Sequence, residues 1–341
     1  MTRLFQAMAG AVHGGAEAFF TRLALALQEA GQEQKLAIRT DPARGQTLRE
    51  GGCEVAEFRF GGFFDWRTRP GLRRILREWE PKVVLTWMSR ATKVMPKGSY
   101  VHVARLGGYY DLKYYRRCNH LIGNTQDIVR HLTVNGWPKA RVHYLPNFVD
   151  DTPAEPVDRE SLETPDDAPL LLALGRLHPN KGFDVLIEAM ALAPRAWLWL
   201  AGAGPEEANL KAQAQRLGVD NRIRFLGWRD DAPALMAAAD ALVCPSRHEP
   251  LGNVILEAWA HGLPVIAAEA QGPLELVRPN VNGLLVPLED AASLARAIHD
   301  LTSDMTSRLE LSEAGYDTFA RRFGRGAVVA AYRDFFDRVA R

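Results

Sequence analysis

The stretch Pro169-Leu-Leu-Leu-Ala-Leu-Gly-Arg-Leu-His-Pro-Asn-Lys-Gly182 decides how this chain folds. Five apolar residues run without interruption to Leu174, and Gly175 breaks the run. A short apolar run with no polar alternation predicts a strand buried on both faces, as in a parallel sheet. The apolar spacing behind Gly182 predicts a helix over 182–192. Further strands are expected at 196–201, 223–226, 241–244 and 264–267. They alternate with helices at 205–217, 232–239 and 253–261. Such alternation implies crossover helices on a parallel sheet.

The same rhythm runs upstream. Strands are expected at 4–8, 35–39, 81–86, 100–106 and 120–124, with a helix over 16–30. The fold class is therefore α/β, with two Rossmann-like, doubly wound parallel-sheet domains facing across a cleft. Residues 150–165 are rich in Pro and acid and lack apolar periodicity, which marks an exposed connection. They divide a first domain, 1–150, from a second, 151–322. A final apolar-faced helix is expected at about 326–339, within a tail of 323–341.

At 341 residues the chain has room for two domains of ordinary size. With 47% hydrophobic and 24% charged residues it is neither disordered, collagenous nor a coiled coil. No apolar run reaches the ~20 residues of a bilayer span. The first twenty residues lack the plan of a signal peptide, because Glu17 interrupts them early. Cys53, Cys118 and Cys244 are odd in number and widely spaced, which predicts unpaired thiols in a reducing, cytoplasmic setting. The net charge of +1 conceals +10 over residues 1–150 and −9 over residues 151–341. A basic half suits an anionic partner.

Three loops after strands carry the candidate chemistry. In His248-Glu-Pro-Leu-Gly-Asn-Val-Ile-Leu-Glu257, a helix opens near Gly252 and Asn253, leaving amide donors and a positive dipole end for phosphate. Glu249 in the turn can accept hydrogen bonds from sugar hydroxyls, and Glu257 one turn later can hold a ribose diol. In Gly175-Arg-Leu-His-Pro-Asn-Lys-Gly182, Arg176 and Lys181 suit a diphosphate, one as a planar fork and one as a point charge. In His13-Gly-Gly-Ala-Glu17, Gly14 and Gly15 allow close approach of backbone amides to phosphate.

Other signals fall away. Gly202-Ala-Gly204 begins a dinucleotide fingerprint, but Glu207 takes its third glycine position, so an NAD site is not expected. There is no Asp-x-Asp to hold Mg²⁺ on a sugar diphosphate, no Gly-x-Ser-x-Gly and no Gly-Lys-Ser/Thr. Cys244 ends a buried strand and reads as core.

Taken together, the three loops resemble the retaining glycosyltransferases of family 4, which have the two-Rossmann GT-B fold. Gly-Arg-Leu…Lys-Gly at 175–182 and the Glu-x7-Glu of Glu249 and Glu257 carry the resemblance. Pro146-Asn-Phe-Val-Asp150 is similar to the family's Pro-Asn-Gly-Val-Asp, with Phe148 in the glycine's place. The segments 225–231, 239–246, 262–267 and 282–286 also match the family pattern.

That resemblance implies a nucleotide-sugar-binding second domain, an acceptor-side first domain and a final helix returning to the first. It implies that Arg176 and Lys181 grip the donor diphosphate and that Glu249 binds the donor sugar. Gly252, Asn253 and Val254 would lie at sugar and phosphate, Glu257 at the ribose, Trp228 and Arg229 at the base. Gly202 joins the donor set, and Gly14 and Gly15 close on the phosphates. Family members place a first-domain histidine at the donor sugar. In Val101-His-Val-Ala-Arg-Leu-Gly107 either His102 or Arg105 takes that place, on opposite strand faces, with Arg105 nearer the strand's end. Glu17, His102 and Tyr109 are the acceptor-side candidates.

The implied activity is retaining, metal-independent, cofactor-free transfer from a UDP-sugar, or next a GDP-sugar, to a glycan or glycolipid in lipopolysaccharide or similar synthesis. Arg67 to Arg77 and Tyr109 to Arg117 mix cations with apolar or aromatic residues. They suit an anionic acceptor or an anionic membrane at the inner face of the cytoplasmic membrane. The acidic second half argues against nucleic acid. The competing readings are a GT-B nucleotide-sugar epimerase, a phosphorylase and a catalytically idle sugar-nucleotide-binding protein.

Overall fold

The computed structural model describes residues 2–12, 14–62 and 65–341. The chain divides into two compact units, Met1–Phe148 with Arg325–Arg341, and Val149–Gly324. In the first, strands β1 (Leu4–Met8), β2 (Gln34–Arg39), β3 (Glu54–Phe58), β4 (Val83–Trp87), β5 (Val101–Leu106), β6 (His120–Gly123) and β7 (Val142–Tyr144) form one sheet. Its order is β3-β2-β1-β4-β5-β6-β7 and every pairing is parallel. Helices α1 (Gly15–Glu29), α2 (Pro42–Glu50), α3 (Thr68–Trp79), α4 (Met88–Val94) and α5 (Gln126–Val134) make the crossovers.

The second unit repeats the plan. Its strands are β8 (Leu170–Leu174), β9 (Trp197–Ala201), β10 (Ile223–Gly227), β11 (Ala241–Cys244), β12 (Val265–Ala268) and β13 (Leu284–Val286). Their order is β10-β9-β8-β11-β12-β13, again parallel. The helices are α6 (Phe183–Leu192), α7 (Glu207–Arg216), α8 (Ala232–Ala238), α9 (Asn253–Ala260), α10 (Gln271–Leu276), α11 (Ala291–Ser303) and α12 (Met305–Arg322). The decisive run is central in this sheet: Leu171 and Ala173 enter one apolar layer, Leu170 and Leu172 the other. That two-sided burial is why the run has no polar alternation.

Both sheets reverse direction between their first and fourth strands, at β1/β4 and β8/β11. Loops at the carboxyl ends diverge there and leave a crevice for ligand.

A final helix, α13 (Arg325–Val339), belongs to the first unit. Tyr332, Phe335 and Phe336 are fully buried in its core. Each contributes about 1.5–3 kcal/mol by leaving water. Thr2 donates to Asp337 from both its amide and its hydroxyl, and Arg325 pairs with Glu29, so the helix is tied at both ends. Phe323, just before the helix, is buried in the second unit instead. Phe148, where the resemblance had a glycine, packs edge-on against Phe19 at 5.4 Å in the first unit's core.

The segment expected as an open connection lies on the second unit. The Val157 amide donates to the Ala234 carbonyl at 3.1 Å, and Arg159 pairs with Asp240 at 3.1 Å. Buried Thr164 accepts from the Trp199 indole at 2.9 Å. Side-chain anchoring replaces apolar periodicity here, so the pattern misses it.

Candidate functional site

The crevice of the second unit gathers the loop after β8 and the loop after β11. Lys181 Nζ stands 2.5 Å from Glu249 Oε2, and Glu249 Oε1 accepts the Gly252 amide at 3.2 Å. The carboxylate is largely enclosed, with 12% of its side chain exposed. Such enclosure strengthens the ion pair relative to one in open water. Arg176 is exposed and makes no hydrogen bond or ion pair among the described residues.

Close backbone contact makes this arrangement. Gly182 has φ +65, and a Cβ there would lie 2.1 Å from the Pro245 carbonyl oxygen. No other residue fits both demands. The Asn180 carbonyl accepts the amides of Arg247 and His248 at 2.9 and 3.1 Å, lacing the two loops together. Arg247 forks onto Asp184 at 2.7 and 2.6 Å and reaches Glu289 at 2.6 Å. The hydrogen bonds from Arg247 hold the Asp184 carboxyl below the usual carboxylate range. Sequence reasoning passed over Arg247, Asp184 and Asn180. Their charges look like solvated surface until folding sets them side by side.

Gly252 caps α9, which opens with Asn253 and Val254, both half-buried. The first turn presents the amide donors that a helix leaves without internal partners. Glu257, half-buried, lies one turn on, and its carbonyl sits 2.8 Å from His261 Nδ1. Glu249, Lys181, Gly252, Asn253, Val254 and Glu257 thus line adjoining loops and one helix turn, with Arg176 at the same sheet edge. Cys244 is buried beneath, and burial pushes its thiol up to about 11, consistent with a packed core cysteine.

Gly202 plays a packing part. A Cβ on it would meet the Gly175 carbonyl oxygen at 1.8 Å, so its bareness lets the β8 and β9 loops touch. Trp228 is 74% exposed after β10, its indole donating to Asp230 at 2.8 Å. Arg229 forks onto Asp231 at 2.7 and 2.5 Å. Its guanidinium is thus already engaged.

In the first unit, three of the candidate side chains are buried. Arg105 is 4% exposed, its guanidinium 4.7 and 4.6 Å from the ring centres of Phe19 and Trp87. It donates to the Tyr332 hydroxyl at 3.0 Å and to Asn147. This side chain is an internal strut between β5 and α13. His102 is buried, with Nε2 3.0 Å from the Thr86 hydroxyl, and burial lowers its pKa to about 4. It is a neutral packed histidine. Glu17 is buried and accepts the Ala11 amide at 2.7 Å, filling the space beside Gly10 and Gly14. It holds the loop that leads into α1 at Gly14 and Gly15. Tyr109 is 41% exposed after β5 and donates to Asp127. His13 lies outside the described residues.

One residue at the first crevice carried no sequence signal. Met88, directly after β4, has φ +69. Backbone strain of this kind gathers where loops are held for function.

Among the described residues no group of three or more His, Cys, Asp or Glu side chains is placed to hold a metal ion. No helix of the described residues is long and apolar enough to cross a membrane.

A phosphate-suited loop pair at the reversal point of one parallel sheet, in a chain that carries a second sheet of like order, is the pattern of the GT-B class. Solved structures agree. The crystal structure of Anabaena Alr3699/HepE in complex with UDP matches over 99% of this chain and all of that one, with TM-score 0.84 and 24% identity. WaaG, a glycosyltransferase involved in lipopolysaccharide biosynthesis, matches over 98% and 99% with TM-score 0.70 and 19% identity. The model of Glycosyltransferase Family 4 matches residues 13–152, and that of Glycosyl transferases group 1 residues 154–318. The lipopolysaccharide core biosynthesis glycosyltransferase LpsE of Rhizobium meliloti (strain 1021) is 41% identical over 94% of each chain. LpsD of the same strain is 39% identical over 95% of each. The chain belongs to this glycosyltransferase family and is an enzyme of that kind.

Proposed function

We propose that the enzyme moves a sugar from a nucleotide-diphospho-sugar, a UDP-sugar first and a GDP-sugar next, to a glycan or glycolipid acceptor in lipopolysaccharide core assembly. The observation that carries this reading is the Lys181–Glu249 pair beside unpartnered Arg176 and the start of α9. A diphosphate needs cations and amide donors, and a sugar needs an acceptor carboxylate. This crevice presents both within one wall. The relatives named for lipopolysaccharide core biosynthesis support the pathway, and the UDP complex of the HepE structure supports the donor class.

The chemistry follows from the groups present. Arg176, Lys181 and the first α9 amides stabilise charge as it grows on the departing diphosphate, a preorganised electrostatic role that needs no metal. Glu249 keeps lone pairs free on both carboxylate oxygens, and these accept donor-sugar hydroxyls. Glu257 holds the ribose. The acceptor hydroxyl attacks from the face the diphosphate leaves, so configuration is retained. The enzyme works from the cytoplasmic side. Arg69, Arg73, Arg74 and Arg77 on α3 are exposed and form no ion pair among the described residues, which suits peripheral contact with anionic lipid.

The test is calorimetric titration of the full chain and of Glu257→Ala with UDP, GDP and ADP, without and with Mg²⁺. Micromolar binding of one nucleotide, lost in the variant and indifferent to Mg²⁺, is expected. A folded wild type that binds none of them would refute the donor site.

A further inference from the structure

A groove of about 730 Å³ runs along the α5 flank of the first unit. It begins at Tyr109 and Tyr110, just after β5, passes His131 on α5, and ends at Trp137 and Arg141 ahead of β7. It therefore leads from the carboxyl edge of the sheet, where ligands of this fold gather, down to the opposite edge. Its volume lies within the range of small-molecule sites.

The lining divides into spent and unspent groups. Asp111 in the lining holds Lys113; Asp127, outside it, accepts from Tyr109 and pairs with Arg130 at 3.4 Å. Arg116 and Arg141 also line the groove, are exposed, and have no hydrogen bond or ion pair among the described residues. Asp111 is hydrogen-bonded to Lys113 and also feels the Arg116 charge, while the Arg116 and Arg141 forks make no hydrogen bond of their own among the described residues and can take an outside anion. Such forks match the oxygen geometry of phosphate. Tyr109 and Trp137 add broad ring faces, on which the apolar face of a sugar ring gains dispersion contact. Tyr109 is braced by the edge of His131 at 5.2 Å. Cations set between aromatic rings along one groove suit a phosphorylated chain of sugars.

We infer that this groove is a subsite for the distal, phosphate-bearing part of an oligosaccharide acceptor. Arg116 and Arg141 take the phosphate, and Tyr109 and Trp137 take the sugar rings. The inference deepens the glycosyltransferase reading above and rests on it. It makes acceptor choice depend on a group remote from the reacting hydroxyl.

The experiment titrates the full chain with deacylated, phosphorylated lipopolysaccharide oligosaccharide. The same oligosaccharide after dephosphorylation, inorganic phosphate, phosphatidylglycerol vesicles and UDP are the other arms. The phosphorylated oligosaccharide is expected to bind about tenfold more tightly than the dephosphorylated one, as loss of charge-assisted bonds to exposed arginines predicts. The double variant Arg116→Gln/Arg141→Gln is expected to abolish that difference and leave UDP binding unchanged. Equal discrimination in the double variant, with UDP still bound, would overturn the subsite and leave the donor site standing. Equal affinity for inorganic phosphate would reduce it to a simple anion site, and Arg116/Arg141-dependent binding to vesicles alone would make it a headgroup surface. Either result would overturn the inference. Failure of the wild type to bind UDP would instead strike the donor reading.

Discussion

Lys181 and Glu249 lie 68 residues apart in sequence, yet their charged atoms are 2.5 Å apart, one from the loop after β8 and the other from the loop after β11. The carboxylate holds the ammonium in place beside the start of α9, where the proposed reading puts the donor diphosphate. A bound donor would then share Lys181 with Glu249, and both charges are in position before the chemistry begins.

Lys181→Ala should therefore lower kcat/KM for sugar transfer by about 10²–10³, the scale of removing one preorganised donor at a developing anion. Steady-state assays with the matched nucleotide-sugar and a far-ultraviolet spectrum check it. Unchanged turnover in a folded variant would remove Lys181 from the machinery.

Gly182→Ala should destabilise the second unit by more than about 2 kcal/mol and weaken nucleotide binding, because the new Cβ meets the Pro245 carbonyl at 2.1 Å. Gly218 is the control: its φ is +67, but nothing lies within 4 Å. Gly218→Ala should cost about 1 kcal/mol and leave binding intact. Denaturant melts and UDP titrations separate the two.

Arg247→Ala should raise the donor KM more than it lowers kcat, since Arg247 touches Asp184 and Glu289 and orders the loop that carries Glu249. An equal fall in kcat and kcat/KM with unchanged KM would contradict a positioning role.

Tyr332→Phe should lower stability by about 1.5–3 kcal/mol, the value of a hydrogen bond to a charged group, here the one from buried Arg105 Nε. Urea denaturation measures it. No change would mean that Arg105 is held by its aromatic neighbours and Asn147 alone.

The His102 pKa is lowered from 6.5 to about 4, chiefly by burial. The unfolded chain therefore binds the extra proton first, and stability falls as pH drops from about 6.5 towards 4. The full effect is on the order of 3 kcal/mol. Melting temperature should decline over that window, and His102→Gln should flatten the decline. An identical pH slope in the variant would assign the loss to other groups.

Much of this enzyme was legible before folding. Two-sided burial writes itself as unbroken apolar runs, so Leu170–Leu174 and Ala241–Cys244 could be read as central strands. Glycines and cations after those strands could be read as a phosphate site, because close backbone approach and charge restrict residue type at each position. Sequence alone determined the class of fold and the family, and it singled out the loops on which the proposed site rests. Tertiary structure decided which charges are free. Arg176, Arg105 and Arg229 are the same residue type beside sheet ends. Folding leaves Arg176 open, encloses Arg105 between Phe19 and Trp87, and engages Arg229 with Asp231. Arg247 acquires its role only when Asp184 arrives beside it. A side chain's partners come from distant segments, and no local period records them.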